Sequence, residues 1–123
     1  MEPSSKNFPV QELRCKCPVC MCQVPNEINP ESLVRLQKLR DILGFPLYIN
    51  SAYRCYKHKR EAIKAVPGRH NKGMAFDISV SWGERRMNIV REATKLGFTG
   101  FGFANTFLHI DDDGDVLRSW SYT

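Results

Sequence analysis

Leu33, Leu36, Leu39, Ile42 and Leu43 recur at steps of three and four residues, the spacing of one helical face. Asn29-Pro30-Glu31 opens that helix with an N-cap side chain, a proline at the first helical position and an early acid. Gly44 stops it and Pro46 prevents its continuation. A short strand is expected over residues 47–50. The charged segment 56–66 predicts a second helix, closed by Pro67-Gly68. Residues 74–80 predict a strand in which Ala75, Phe76 and Ile78 are apolar and Asp77 is the polar exception. After a turn at Trp82-Gly83, residues 84–96 place Met87, Val90, Ala93, Thr94 and Leu96 at helical spacing, and Gly97 caps them. Three strands over 100–104, 107–110 and 116–120 complete the pattern, with Asp113-Gly114 in a hairpin turn joining the last two. Helices come early and strands mostly late. The expected class is α+β, a small antiparallel sheet flanked by helices.

A length of 123 residues suits one domain over 1–123, with a polar opening at 1–10 expected to be flexible. At 42% apolar and 25% charged residues, the chain can bury a core without a disulfide framework or a partner. No apolar run approaches a membrane span, so no membrane insertion is expected. The N-terminus lacks the basic-then-apolar layout of a signal peptide, so action outside a membrane requires another means of release. A net charge of +5 and a pI near 9.1 favour an acidic partner: nucleic acid, an anionic membrane, or a bacterial wall with its carboxylates and phosphates. The positive residues (among them Lys57, Lys59, Arg60, Lys64, Arg69, Lys72, Arg85 and Arg86) form no long block, and a soluble surface with a mild excess of Lys and Arg is the plainer reading. Without aromatic-basic interleaving or a nucleic-acid motif, nucleic acid ranks last as a partner.

Four of the five cysteines crowd into Cys15-Lys16-Cys17-Pro18-Val19-Cys20-Met21-Cys22. Their odd total and the lack of an export signal suggest a reducing compartment. Cys17 and Cys20 make one Cys-x-x-Cys, which Cys15 and Cys22 flank more tightly than a zinc ribbon's two spaced pairs. Cys15, Cys17, Cys20 and Cys22 therefore read either as a structural metal site or as a cluster of reduced thiols, with Cys55 packing against it.

Three histidines occur: His58, His70 and His109. Asp77 sits between Phe76 and Ile78, and His109 within Phe107-Leu108-His109-Ile110, both in apolar strands. A carboxylate is costly to bury without a cation or several donors. His70, Asp77 and His109 would supply three of zinc's four ligands and leave one position for water. The alternative is a pair of hydrogen-bonded core histidines with an aspartate in a turn.

The wording around these residues separates the two. Six residues lie between His70 and Asp77, and Gly73 and Ala75 complete a His-x-x-Gly-x-Ala-x-Asp pattern. Ser51-Ala52-Tyr53-Arg54 stands upstream, and Leu108-His109-Ile110-Asp111 follows the glycine-rich 97–102. In these motifs and their order, over roughly residues 12–120, the chain resembles the zinc D-Ala-D-Ala carboxypeptidases and L-alanyl-D-glutamate endopeptidases. Their fold is shared with lysostaphin-type enzymes and the hedgehog signalling domain. Cys15-Lys16-Cys17 before a leucine-rich helix is similar to the short phage-type members.

The resemblance implies one catalytic Zn2+ on His70, Asp77 and His109, and hydrolysis of peptide bonds in bacterial peptidoglycan. Such an ion lowers the pKa of its water and polarises the carbonyl, and a carboxylate must move the proton. Asp111 is expected as that base, since two residues past His109 a strand returns to the same face. Asp112 should point away, and Asp113 and Asp115 belong to the turn. Arg54 matches the family arginine that meets a substrate carbonyl or carboxylate. Ser51 and Tyr53 are the other substrate-side candidates, with strand termination and packing as their alternatives. His58 has no family role and is read as an exposed helix residue. Two positions depart from the pattern: Thr106 stands where many members have an acidic base, and Phe107 where many have a histidine.

The expected protein is a monomeric, phage-type endolysin, held in the host cytoplasm until released to the wall, or else virion-associated. A D,D-carboxypeptidase of the same fold and a non-catalytic zinc-containing wall-binding module are the alternatives.

Overall fold

The computed structural model describes residues 1–55 and 69–122. The helix expected over 56–66, and His58 within it, lie outside the described residues.

Helix α1 (Val10–Leu13) is a single turn that the apolar pattern does not announce. Helix α2 (Pro30–Leu43) follows its caps: Asn29 Oδ1 accepts from the amides of Glu31 and Ser32, and Gly44 takes the left-handed conformation at φ 73°. Helix α3 spans Glu84–Leu96 and ends at Gly97, with φ 107°. Leu33, Leu36 and Leu39 of α2 are buried, whereas Ile42 is exposed. In α3 the buried stripe is Arg86, Ile89 and Ala93, one step round from the predicted face, and Met87 is exposed.

Arg86, read from sequence as part of a basic surface, is fully buried. Its Nη2 donates to the carbonyls of Val80 and Phe107 at 2.5 and 3.1 Å, and its guanidinium lies over the Trp82 ring. The arginine thus ties α3 to the ends of two strands, and the aromatic face replaces part of its lost hydration.

The strands are β1 (Ile49–Ser51), β2 (Ala75–Ser79), β3 (Gly100–Phe103), β4 (Phe107–Asp111) and β5 (Arg118–Ser121), in the order β1-β2-β4-β3-β5. All neighbours are antiparallel except β3 and β5, which run parallel. The fold is α+β as expected, but the sheet is mixed, and β4 and β5 are not a hairpin. The turn at Gly114 is present (φ 89°), yet the chain then crosses the start of β3. There the Thr99 hydroxyl donates to Gly114 O and the Arg118 amide to Thr99 O.

Strand alternation sorts the sheet into two faces. Phe76 and Ile78 of β2, Phe101 of β3, and Leu108 and Ile110 of β4 join the core that also contains Leu36, Leu39, Ile89 and Phe98. Asp77, Gly100, Gly102, His109 and Asp111 occupy the alternate positions and therefore share the opposite face.

Residues 1–10 make defined contacts. Phe8 is buried, Ser5 Oγ donates to Gln37, and Glu2 pairs with Arg14 at 2.8 Å. Among the described residues no helix is long and apolar enough to cross a membrane.

Candidate metal centre

Asp77 and His109 are cross-strand partners in the β2–β4 ladder, which brings residues 32 apart in sequence to one spot. His70 reaches them from a turn just before β2. Gly73 shapes that turn: at φ 75° its carbonyl accepts from the Asn29 amide, and a Cβ there would collide with the Glu27 carbonyl oxygen. This close approach accounts for the glycine of the His-x-x-Gly-x-Ala-x-Asp pattern.

His70 Nε2 and His109 Nδ1 lie 3.2 and 3.1 Å from the same oxygen, Asp77 Oδ1. One ligand atom from each of the three residues fits within a mutual 4.8 Å, and all three side chains are buried. The outer ring nitrogens fix the tautomers. His70 Nδ1 is 2.7 Å from the Ala52 carbonyl, which can only accept, so Nδ1 carries the proton and Nε2 offers its lone pair inward. His109 Nε2 is 2.7 Å from Asp111 Oδ2, which leaves Nδ1 inward. Two imidazole nitrogens and a carboxylate oxygen, each backed by an outer acceptor or donor, are a donor set suited to a divalent ion.

Burial pushes the Asp77 carboxyl up, but His109 and His70, which donate to it whenever their inward nitrogens carry protons in place of an ion, outweigh it and hold the group well below the usual carboxylate range. Burial opposes charge on His109, yet Asp111 and Asp77 raise its pKa. Asp111 is likewise held down, against its burial, by His109 and Arg118. The two carboxylates are thus held in the charged form that a cation at the centre requires.

Arg54 and Ser51 extend the array. Arg54 donates from Nη2 to Asp77 Oδ2 at 3.2 Å and from Nε to Ser51 Oγ at 3.2 Å. Tyr53, offered with them as a substrate contact, is buried in the core and donates its hydroxyl to Glu27 at 2.6 Å, which is its packing alternative. Asp111 is fully buried, with Oδ2 on His109 and Oδ1 on Arg118. Asp112 points away from the site, as strand parity requires, and accepts from Ser32 Oγ and Arg35 on α2. Asp113 faces Lys72 and Arg69 at 3.3 and 3.6 Å.

Three contributors were not singled out from the sequence. Arg118 and Trp120 reach from β5 across β3 to the site: Arg118 to Asp111, and the Trp120 ring to 5.0 Å from the His109 ring. The crossing is possible because the β3 residues in register, Gly100 and Gly102, have no side chains. A Cβ on Gly102 would lie 2.6 Å from Trp120 Nε1, and one on Gly100 would strike Arg118 and Asp111. The signal was the period of two shared by Gly100/Gly102 and Arg118/Trp120, readable only once β3 and β5 are known to pair. Ala52 is the third, through its carbonyl, and a backbone acceptor leaves no mark on residue type.

Fold and site agree with one class of protein. The profile of the peptidase M15 family matches residues 6–111, and the chain belongs to that family. No curated relative matches it. The family is one of peptidases, and the buried His-Asp-His group lies within the matched region.

Proposed function

We propose that the protein is a zinc metallopeptidase that hydrolyses peptide bonds in the stem peptides or cross-links of peptidoglycan. The observation that carries this reading is the convergence of His70 Nε2, Asp77 Oδ1 and His109 Nδ1 in a chain of the M15 peptidase family. The net charge of +5 supports an anionic polymer as the partner. An endopeptidase of the phage endolysin type, acting as a monomer once released to the wall, is the form we favour.

A zinc ion held by His70, Asp77 and His109 would supply Lewis acidity towards the scissile carbonyl and a nucleophile at neutral pH. The residues around it set the geometry. Arg54 fixes Asp77 through Oδ2, so that Oδ1 stays turned to the two histidines, and it brings positive charge to where an oxyanion develops. Ser51 Oγ accepts from Arg54 Nε and so helps to hold the guanidinium in place.

Asp111 has a role that strand parity alone does not reveal. A general base must come within hydrogen-bond reach of the proton it takes. Asp111 has both oxygens engaged and lies behind the His109 ring, on the side away from Asp77. That placement supports a positioning residue that orients His109 and raises its basicity, in place of the proton transfer suggested by its spacing.

The test is a zymogram on purified murein, with wild type and His70→Ala, each with and without chelator. Clearing by the wild type alone, abolished by chelator and restored by Zn2+, is expected. Clearing that survives the chelator would overturn the mechanism. Zinc-dependent binding to murein without release of peptides would instead identify a non-catalytic wall-binding module. Mass analysis of the released fragments separates internal cleavage from loss of a terminal D-alanine.

A further inference from the structure

A second convergence of ligand atoms involves thiols. Cys15, Cys17, Cys20 and Cys55 are all buried, and their Sγ atoms lie within 4.8 Å of one another. Cys17 Sγ is 3.3 Å from Cys20 Sγ and 4.0 Å from Cys55 Sγ. Zinc–sulfur bonds of about 2.3 Å in a tetrahedron set the sulfurs about 3.8 Å apart. The observed separations straddle that edge and exceed the roughly 2.05 Å of a disulfide. Cys22, grouped with the first three from sequence, is not in the cluster. It is half-buried, with its amide on the Cys15 carbonyl, and Cys55 takes the fourth place.

Buried cysteines often serve as small apolar residues. The backbone here argues for more. Met21 and Cys22 have φ of 48° and 63°, the left-handed region, without a glycine. Such residues are strained and persist where something over-determines them. The turn's larger apolar side chains do not supply it, because Val19 and Met21 are 65% and 70% exposed, and only its cysteines turn inward. What the turn does accomplish is to bring sulfur atoms together. The Met21 amide donates to Cys17 O at 2.9 Å, and the Cys20 amide donates to Cys17 Sγ at 3.4 Å, a contact that favours a thiolate.

We propose that Cys15, Cys17, Cys20 and Cys55 bind a second zinc ion in a closed, four-sulfur structural site. Binding converts four thiols to thiolates and releases their protons to solvent, with no change of oxidation state. The ion fastens the 15–22 turn to the segment that leaves β1. Cys55 follows Arg54, whose amide donates to His70 O at 3.3 Å, and the Tyr53 amide donates to Leu13 O at 3.2 Å. The site thus braces the stretch that delivers Arg54 to Asp77, and it stands whether or not the peptidase reading holds.

The full chain, purified under reducing conditions, tests this with Zn2+ and Co2+ as probes. The wild type should hold about two zinc equivalents, and His70→Ala and Cys22→Ser about one and about two. The Co2+ form of His70→Ala should show an intense thiolate-to-metal charge-transfer band in the near ultraviolet, lost in Cys17→Ser/His70→Ala. Reading the band in a variant with intact cysteines keeps the test valid if cysteine variants misfold. Absence of that band in folded His70→Ala overturns the proposal. So do four fast-reacting buried thiols in zinc-saturated wild type. One zinc per chain with a thiolate band in the wild type would sustain this site and count against the catalytic one.

Discussion

Asp111 Oδ2 lies 2.7 Å from Nε2 of His109, on the ring edge opposite the nitrogen that faces Asp77. Asp111→Asn keeps the shape but removes the charge, so it should weaken zinc affinity by about 10–100-fold. Competition against a chromophoric chelator measures this. Turnover should largely recover at saturating zinc. Unchanged affinity with turnover still lost would restore Asp111 to the role of base.

Arg54 meets Asp77 Oδ2 and Ser51 Oγ through different guanidinium nitrogens, a fork that an ammonium cannot reproduce. Arg54→Lys should lower kcat by about 10²-fold while the zinc content of the His-Asp-His centre stays unchanged. Steady-state rates on a defined stem peptide, beside metal analysis, decide it. An unaffected kcat would reduce Arg54 to a packing role.

The glycines of β3 make a separable prediction. Gly100→Ala should lower stability by about 1–3 kcal/mol by displacing Arg118 from Asp111. If crowding is the cause, Gly100→Ala/Arg118→Ala will lose less than the sum of its two single variants. Denaturant midpoints of the four proteins test this, and strict additivity would refute it.

Glu2 gives a pH signature remote from the centre. Hydrogen bonds from Arg14 and from the Asn26 amide and side chain lower its pKa from 4.5 to about 2. A depressed folded-state pKa contributes stability that is present above pH 4.5 and lost as pH falls towards about 2. Glu2→Gln should therefore flatten this part of the acid limb, and melting curves from pH 5 downwards should converge with wild type at the acid end.

Local chemistry was the most legible part of the fold. Asn29 and Gly44 bound α2, and Gly97 closes α3, because a cap acts within a few residues of itself. Asp77 and His109 stood out since a polar residue amid apolar neighbours in a strand needs a reason. What stayed hidden depends on pairing between distant segments. No local pattern says that β5 lies beside β3, so Arg118 and Trp120 could not be assigned. Nor does it say that Arg86 is enclosed by Trp82 and two carbonyls. Asp112, expected to face away, proved to be a buried anchor for α2 through Ser32 and Arg35.

The strand order β1-β2-β4-β3-β5 places both ligand-bearing strands in the interior of the sheet, each with a neighbour on either side. Fraying begins at edges, so amides of Asp77 and His109 should exchange with solvent only when the whole domain opens. An ion seated there would meet ligands whose backbone stays fixed as it comes and goes, so chelation and reloading should leave the exchange protection of both strands intact.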